Sequence, residues 1–358
     1  MVEDLIKERG TEVIPSATPE EWNAIREEYK KIFIREVYGT PLPEPEELTF
    51  EAVPAGAAGR GFCAGKVQYR KIVAKGKLNG REFSFPFVAT IPTKKGKYPF
   101  FILNNFRDLV PDKYFPTEEV LDGGFAVLTV CYKDVTSDDG DFTNGLAGVL
   151  YPDGKRTSPT DPGKIAMWAW ANMRLMDYAM TLDCLDHDNG AVIGHSRLGK
   201  TALLTGMLDT RFRYVIANDS GCTGDALTRG KEGEHVADIC KTFPYWFCEN
   251  YLKYVDETKL TFDQHMFLAT IAPRTVLTGA AIEDIWADPA SQYLSAIAAS
   301  KAWENHGLQG LVHPDRLPVI GDNFDDGCIC YHLRDGRHYL SREDWNVYMN
   351  TIRKKMGN

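Results

Sequence analysis

From residue 100 onward the chain alternates short, continuously apolar runs with longer helical patterns, and this alternation constrains the fold more than any other feature. FFILNN (100–105), FAVLTVCY (125–132), GAVIG (190–194), YVIAND (214–219) and RTVLTGAA (274–281) read as strands. They are too evenly apolar for a sheet with one wet face. KIAMWAWANMRLMDYAM (164–180), KTALLTGMLD (200–209) and PASQYLSAIAASKAWENHG (289–307) read as helices. The expectation is an α/β fold, a mostly parallel sheet covered by helices on both faces.

Ahead of this core, Val67–Val73 and Phe83–Ile91 flank Leu78-Asn79-Gly80. Asn-Gly suits a tight turn that needs positive φ, which predicts a hairpin forming an antiparallel N-terminal edge. Further upstream, Thr18-Pro19-Glu20-Glu21 is a capping box with proline at the first helical position. Trp22, Ile25, Tyr29, Ile32 and Phe33 then recur at helical spacing until PLPEPEE (41–47) closes the arm. Residues 1–47 therefore read as a helical arm packed on the main domain, and 48–358 as a single catalytic domain.

A net charge of −9 argues against nucleic acid or an anionic membrane as the main partner, because both reward a basic surface. No stretch reaches the roughly 18 apolar residues of a membrane span. MVEDLIKERG carries acids and no apolar run, so no secretory signal is read and the default location is cytoplasmic, a default that a removed signal would overturn. The eight cysteines form no C-x-x-C pair and read as reduced and mostly buried, not as a zinc site.

The decisive segment is NGAVIGHSRLGKT, ending at Thr201. A strand runs into a turn, and a helix follows. One reading is a nucleophile elbow with Ser196 pushed out above the sheet, although Leu198 stands where a second glycine is usual and Gly199 follows it. A rival from another class is a phosphate-binding loop, since Gly194, Gly199, Lys200 and Thr201 satisfy G-x-x-x-x-G-K-[ST], with Asp219 available to a metal. A plain polar turn is the third reading.

GHSRLGKTALL (194–204) resembles the nucleophile region of bacterial glucuronoyl esterases, carbohydrate esterase family 15. The resemblance continues in order through NDSGCTGDALTR (218–229), FPYWFCENY (243–251), FDQHMFLATIAPRTV (262–276), EDIWADP (283–289) and YHLRDGRHYLSREDW (331–345), and covers roughly residues 95–350. It implies a three-layer α/β/α sandwich of the α/β-hydrolase fold. It also implies cofactor-free and metal-free hydrolysis of esters on the carboxyl group of 4-O-methyl-glucuronic acid, a side group of xylan. An acetyl (xylan) esterase, a nucleotide-binding ATPase using GHSRLGKT and a non-catalytic sugar-binding relative are the alternatives.

Ser196 is then the nucleophile, which needs a base within reach. His338 is that base, because the histidine of this fold comes last in chain order and 338 follows Gly336 in a loop. His187, His306 and His313 lie in polar surroundings, His265 and His235 in or near helices, and His332 in the strand-like CICYHL (328–333). Asp284, just after RTVLTGAA, is the favoured acid; Asp219 is the alternative, aligned with a glutamate that some family members use. Glu283 and Asp288 are outside chances, and Asp288 before Pro289 suits a helix cap. The resemblance also implies that Arg197 contacts the oxyanion and that Lys200, Glu234 and Trp286 contact the sugar. Asn104 and Asn105, at a strand end, stay outside the site.

Overall fold

The computed structural model describes residues 1–59 and 61–357. Its ten strands form one sheet in the order β1-β2-β3-β5-β4-β6-β7-β8-β10-β9. They are β1 Glu47–Val53, β2 Val67–Leu78, β3 Arg81–Pro92, β4 Tyr98–Asn105, β5 Ala126–Cys131, β6 Leu185–His195, β7 Tyr214–Asn218, β8 Thr275–Ala281, β9 Asn323–Phe324 and β10 Ile329–Arg334. From β5 through β4, β6, β7 and β8 to β10 all neighbours are parallel, and the first strands join antiparallel, as the alternation predicts. The hairpin turns at Asn79 (φ 53°) and Gly80 (φ 72°), both in the left-handed region.

Successive residues of each buried strand point to opposite faces, so two cores form. Phe100 and Ile102 of β4 join one, under helices Lys164–Ala179, Arg197–Leu208 and Pro289–Ala299. Phe101 and Leu103 join the other, under Thr117–Asp122 and Arg342–Met356. The result is a three-layer sandwich. The arm is part of the first core: Val2, Ile6, Trp22 and Phe33 are buried in it. Its helix Pro19–Phe33 starts with the predicted capping box.

Three elements differ from the sequence reading. β1 has no counterpart in the sequence reading: it lies on the sheet edge, its residues alternate only between exposed and half-buried, and Leu48 and Phe50 pack against the first core. The expected helix 289–307 divides at Ser300, whose hydroxyl bonds back to the Ala296 carbonyl (3.0 Å) and accepts the Leu311 amide (2.9 Å). The last helix, Arg342–Met356, went unread, although Ser341 and Asp344 cap it and Trp345, Tyr348, Met349 and Ile352 line its buried side. All eight cysteines are free, and five of them are buried. Among the described residues no helix is long and apolar enough to cross a membrane.

Candidate active site

β6 delivers Ser196 at its carboxyl end, and the helix Arg197–Leu208 begins at the next residue. Ser196 adopts φ 58°, ψ −126°, a region costing a non-glycine residue on the order of 1–3 kcal/mol and kept only where surroundings enforce it. Two contacts enforce it here. The Ser196 amide donates to the Asn218 carbonyl of β7 (2.8 Å), and Gly194 lets the turn close. A Cβ on Gly194 would sit 2.0 Å from the Leu198 carbonyl oxygen. The second glycine is displaced for a reason: Leu198 is fully buried in the core, while Gly199 is the position facing Ser220, whose Cβ would lie 2.9 Å from an added Cβ.

These contacts answer the phosphate-loop reading. The glycines serve close backbone packing. The Lys200 ammonium is buried and donates to the Ser220 carbonyl at 2.5 Å, so it is not free to reach along a loop toward phosphates. Burial pulls its pKa below the usual lysine value.

Ser196, Arg197, Lys200, Asp219, Glu234, Asp284, Trp286 and His338 all line one cavity of about 370 Å³, completed by Ser220, Gly221, Phe243, Trp246 and Ala287. That volume falls at the small end of ligand pockets, roughly 300–1,000 Å³. The structure thus gathers every residue singled out for the site from loops following β6, β7, β8 and β10. A larger cleft of about 1110 Å³ lies on the Tyr339 side, lined by Phe62, Lys113 and Arg342 among others, and holds none of them.

His338 Nδ1 lies 2.6 Å from Asp284 Oδ2. The Asp284 side chain is 5% exposed and that of His338 44%, so the imidazole faces the cavity while its partner is shielded. Asp219 also ends beside the imidazole. Its oxygens are taken by the amides of Ala281 (3.0 Å) and Tyr339 (3.4 Å), with Arg334 Nη2 3.5 Å away. Burial, reinforced by the charges of Asp284 and Asp344, pushes its carboxyl well above the usual range. Glu283 pairs with Arg337 and Asp288 caps the helix Pro289–Ala299, so neither touches His338. Asn104 and Asn105 bond to the Trp168 carbonyl and to Asp112, roles confined to the scaffold.

The loop carrying His338 is clamped from beneath. Arg334 donates to the carbonyls of Asp335 (2.8 Å), Arg337 (3.0 Å) and Tyr339, and its Nε to Asp344 (2.8 Å). His332 is buried with its Nε2 2.7 Å from Oδ1 of that same Asp344, so it makes a specific hydrogen bond and does more than pack.

His195 was overlooked in the sequence, hidden as the variable letter before Ser196. Its ring packs 4.4 Å from that of His338, and its Nδ1 meets Asn218 Oδ1 at 2.7 Å. Burial, then the neighbouring His338, pushes its pKa down to about 3, so it stays neutral. His195, Asp219 and His338 bring donor atoms within 4.8 Å of one another, the one such group among the described residues. Each takes a hydrogen-bond partner outside the trio: Asn218 for His195, the Ala281 amide for Asp219 and Asp284 for His338. Trp286 is 57% exposed and stands at the rim, not in the core. Glu234 is half-buried in the loop before the helix Val236–Thr242.

A strained serine at a strand–helix turn, sharing one cavity with a histidine–aspartate pair at the carboxyl edge of a mostly parallel sheet, defines a hydrolase-type site on the α/β-hydrolase fold. Similarity to known proteins narrows the class. A family model described as glucuronyl esterase, fungi, matches residues 75–307. The chain belongs to the glucuronoyl esterase family, carbohydrate esterase family 15. It is 40% identical to a carbohydrate esterase from an unknown prokaryotic organism over 65% of this chain, spanning 54%, about half, of that relative's length. A 4-O-methyl-glucuronoyl methylesterase of Schizophyllum commune is 27% identical, with 82% of this chain and 73% of that one covered. Among solved structures, a glucuronoyl esterase from Solibacter usitatus superposes with TM-score 0.85 at 28% identity, covering 95% of this chain and 94% of that one. A promiscuous esterase of the same family from a marine bacterial metagenome gives 0.82 at 30%, covering 94% and 93%.

Proposed function

We propose that the protein hydrolyses esters on the carboxyl group of glucuronic acid or its 4-O-methyl ether, through an acyl-enzyme on Ser196. The observation that carries this reading is the strained elbow at Ser196 opening into the cavity that also holds the His338–Asp284 pair. The names of the relatives support the substrate class.

With Nδ1–H committed to Asp284, the other ring nitrogen of His338 is free to take the serine proton. Ser196 Oγ adds to the ester carbonyl, and the resulting oxyanion meets positive charge at Arg197. The Arg197 amide is the first of the helix and has no intrahelical acceptor. Collapse returns the proton from His338 to the departing alcohol. Water activated by the same imidazole then releases the uronate. Lys200 spends one N–H on Ser220 and keeps two for sugar oxygens, Glu234 accepts from hydroxyls, and the exposed Trp286 ring offers an apolar face.

Steady-state hydrolysis of benzyl glucuronate compared with an aryl acetate tests the substrate class, and Ser196→Ala tests the chemistry. The expected result is a higher kcat/KM on the glucuronate ester and loss of turnover in Ser196→Ala with uronate binding retained. A preference for the acetate, or persistent turnover in the variant, counts against the proposal.

A further inference from the structure

Arg197 arrives at the cavity with a partner already attached, and that partner is 59 residues away in sequence. Asp138 lies after β5, in the loop between the short helices Tyr132–Val135 and Gly145–Leu150. Its Oδ2 accepts from Arg197 Nη1 and from the Tyr132 hydroxyl (2.9 Å), and its Oδ1 from the indole N–H of Trp246 (2.7 Å). Its backbone carbonyl accepts from the Tyr245 hydroxyl at 3.0 Å. The Asp138 side chain is 6% exposed, so none of these bonds is shared freely with solvent.

The loop that presents Asp138 is itself fixed. A buried ammonium, Lys164, ties it together by donating to Thr136 Oγ1 (3.0 Å), Ser137 Oγ (3.3 Å) and the Asp141 carbonyl (2.6 Å). On the other side, the Arg197 guanidinium rests over the rings of Trp246 (4.5 Å) and Phe243 (5.1 Å), both of which line the cavity. A free arginine side chain has several soft torsions and strong hydration, and on the first turn of a helix it would sample solvent. The carboxylate on one side and an aromatic floor beneath remove that freedom. Of the three guanidinium nitrogens only Nη1 bonds to a described residue, and Arg197 Nε is buried without a hydrogen-bond partner among them.

We infer that Asp138 is a positioning residue that aims the Arg197 guanidinium at the carbonyl oxygen attacked by Ser196. This rests on the esterase reading above and extends it to a residue that touches no substrate. Because the oxyanion exists only in the transition state, losing the aim lowers kcat and leaves KM nearly unchanged. A carboxylate that merely stabilised the fold would alter the melting temperature without coupling to Arg197 in kcat.

The test is a double-mutant cycle in kcat with the full chain, using Asp138→Asn, Arg197→Ala and the pair, on both benzyl glucuronate and an aryl acetate. Asp138→Asn is expected to lower kcat about tenfold with KM within about twofold, since removing a whole oxyanion donor costs about 10²–10³. Asp138→Glu should recover part of the loss, and Asp138→Asn should cost nothing further once Arg197 is alanine. A folded Asp138→Asn enzyme with undiminished kcat, or losses that simply multiply in the pair, overturns the inference. Should Asp138→Asn fail to fold, Tyr132→Phe removes one donor that orients the carboxylate; an unchanged kcat there also overturns it. Turnover of the acetate alone would refute the uronate substrate while the cycle on the acetate still decides Asp138. A wild-type chain inert on both esters refutes both.

Discussion

Asp284 and Asp219 both approach His338, and replacing each by asparagine separates their roles. The Asp284 carboxylate accepts from Nδ1 at 2.6 Å with its side chain 5% exposed, a charge-assisted bond shielded from water. Such a bond is worth about 1.5–3 kcal/mol, or about 10- to 150-fold in rate at 1.36 kcal/mol per decade. Asparagine adds a second loss. Its amide can donate to Nδ1 and hold the imidazole in the wrong tautomer, which in a serine–histidine–aspartate system costs as much as about 10⁴. Asp284→Asn should therefore lower kcat by about 10²- to 10⁴-fold with little change in KM. Asp219 instead receives the amides of Ala281 and Tyr339, and burial holds its carboxyl well above the usual range. Asp219→Asn should cost less than about tenfold in kcat, because a group that acts on the loop and not on the proton adds little in the transition state. Steady-state kinetics on benzyl glucuronate, with thermal unfolding of each variant, reads both effects. A larger kcat loss in Asp219→Asn than in Asp284→Asn would refute the assignment of the acid.

Arg334→Lys replaces a five-donor fork with three donors and cannot hold the carbonyls of residues 335, 337 and 339 together; kcat is expected to fall at least about tenfold through disorder of the His338 loop, given that small misplacements cost up to about 100-fold. Unchanged kcat in a folded variant would show that the clamp is dispensable. Asp225, buried beneath Ser220 and Gly221, has its carboxyl raised from 3.8 to about 6 by burial. A raised folded-state pKa means the folded chain holds the proton more tightly. Its stabilising contribution is therefore full below pH ~4 and lost as pH rises through ~6, at most about 3 kcal/mol. Asp225→Asn removes that dependence, so its stability relative to the wild type should climb between pH 4 and 7 in urea unfolding; parallel curves would contradict the argument.

The sheet was largely legible because its signals are short-range. Apolar runs such as FFILNN and GAVIG, the Asn79-Gly80 turn and the Thr18 capping box each act within a few residues, and each appears where the pattern placed it. β1 is harder to read because its alternation, Leu48 and Phe50 against Thr49 and Glu51, is short, follows directly on PLPEPEE and buries no side chain fully. The last helix differs, since its local signal is present: Ser341 and Asp344 form a capping box ahead of Trp345, Tyr348, Met349 and Ile352 at helical spacing. Relatedness carried the choice of site residues; periodicity alone left the segment around Ser196 open between an elbow, a phosphate loop and a plain turn.

The amino-acid order by itself determined a parallel α/β sheet with a serine at a strand–helix junction, because hydrophobic period and turn chemistry are local properties. Only the tertiary structure decided that Asp284 and not Asp219 accepts from His338 Nδ1, that His195 packs against that imidazole, and that Asp138 holds Arg197. The Asp284–His338 and Asp138–Arg197 pairings join loops 54 and 59 residues apart, and His195 lies farther still from His338. Nothing local encodes them: they exist because the parallel sheet brings the carboxyl ends of β5, β6, β7, β8 and β10 to one edge, where burial then fixes which groups are paired.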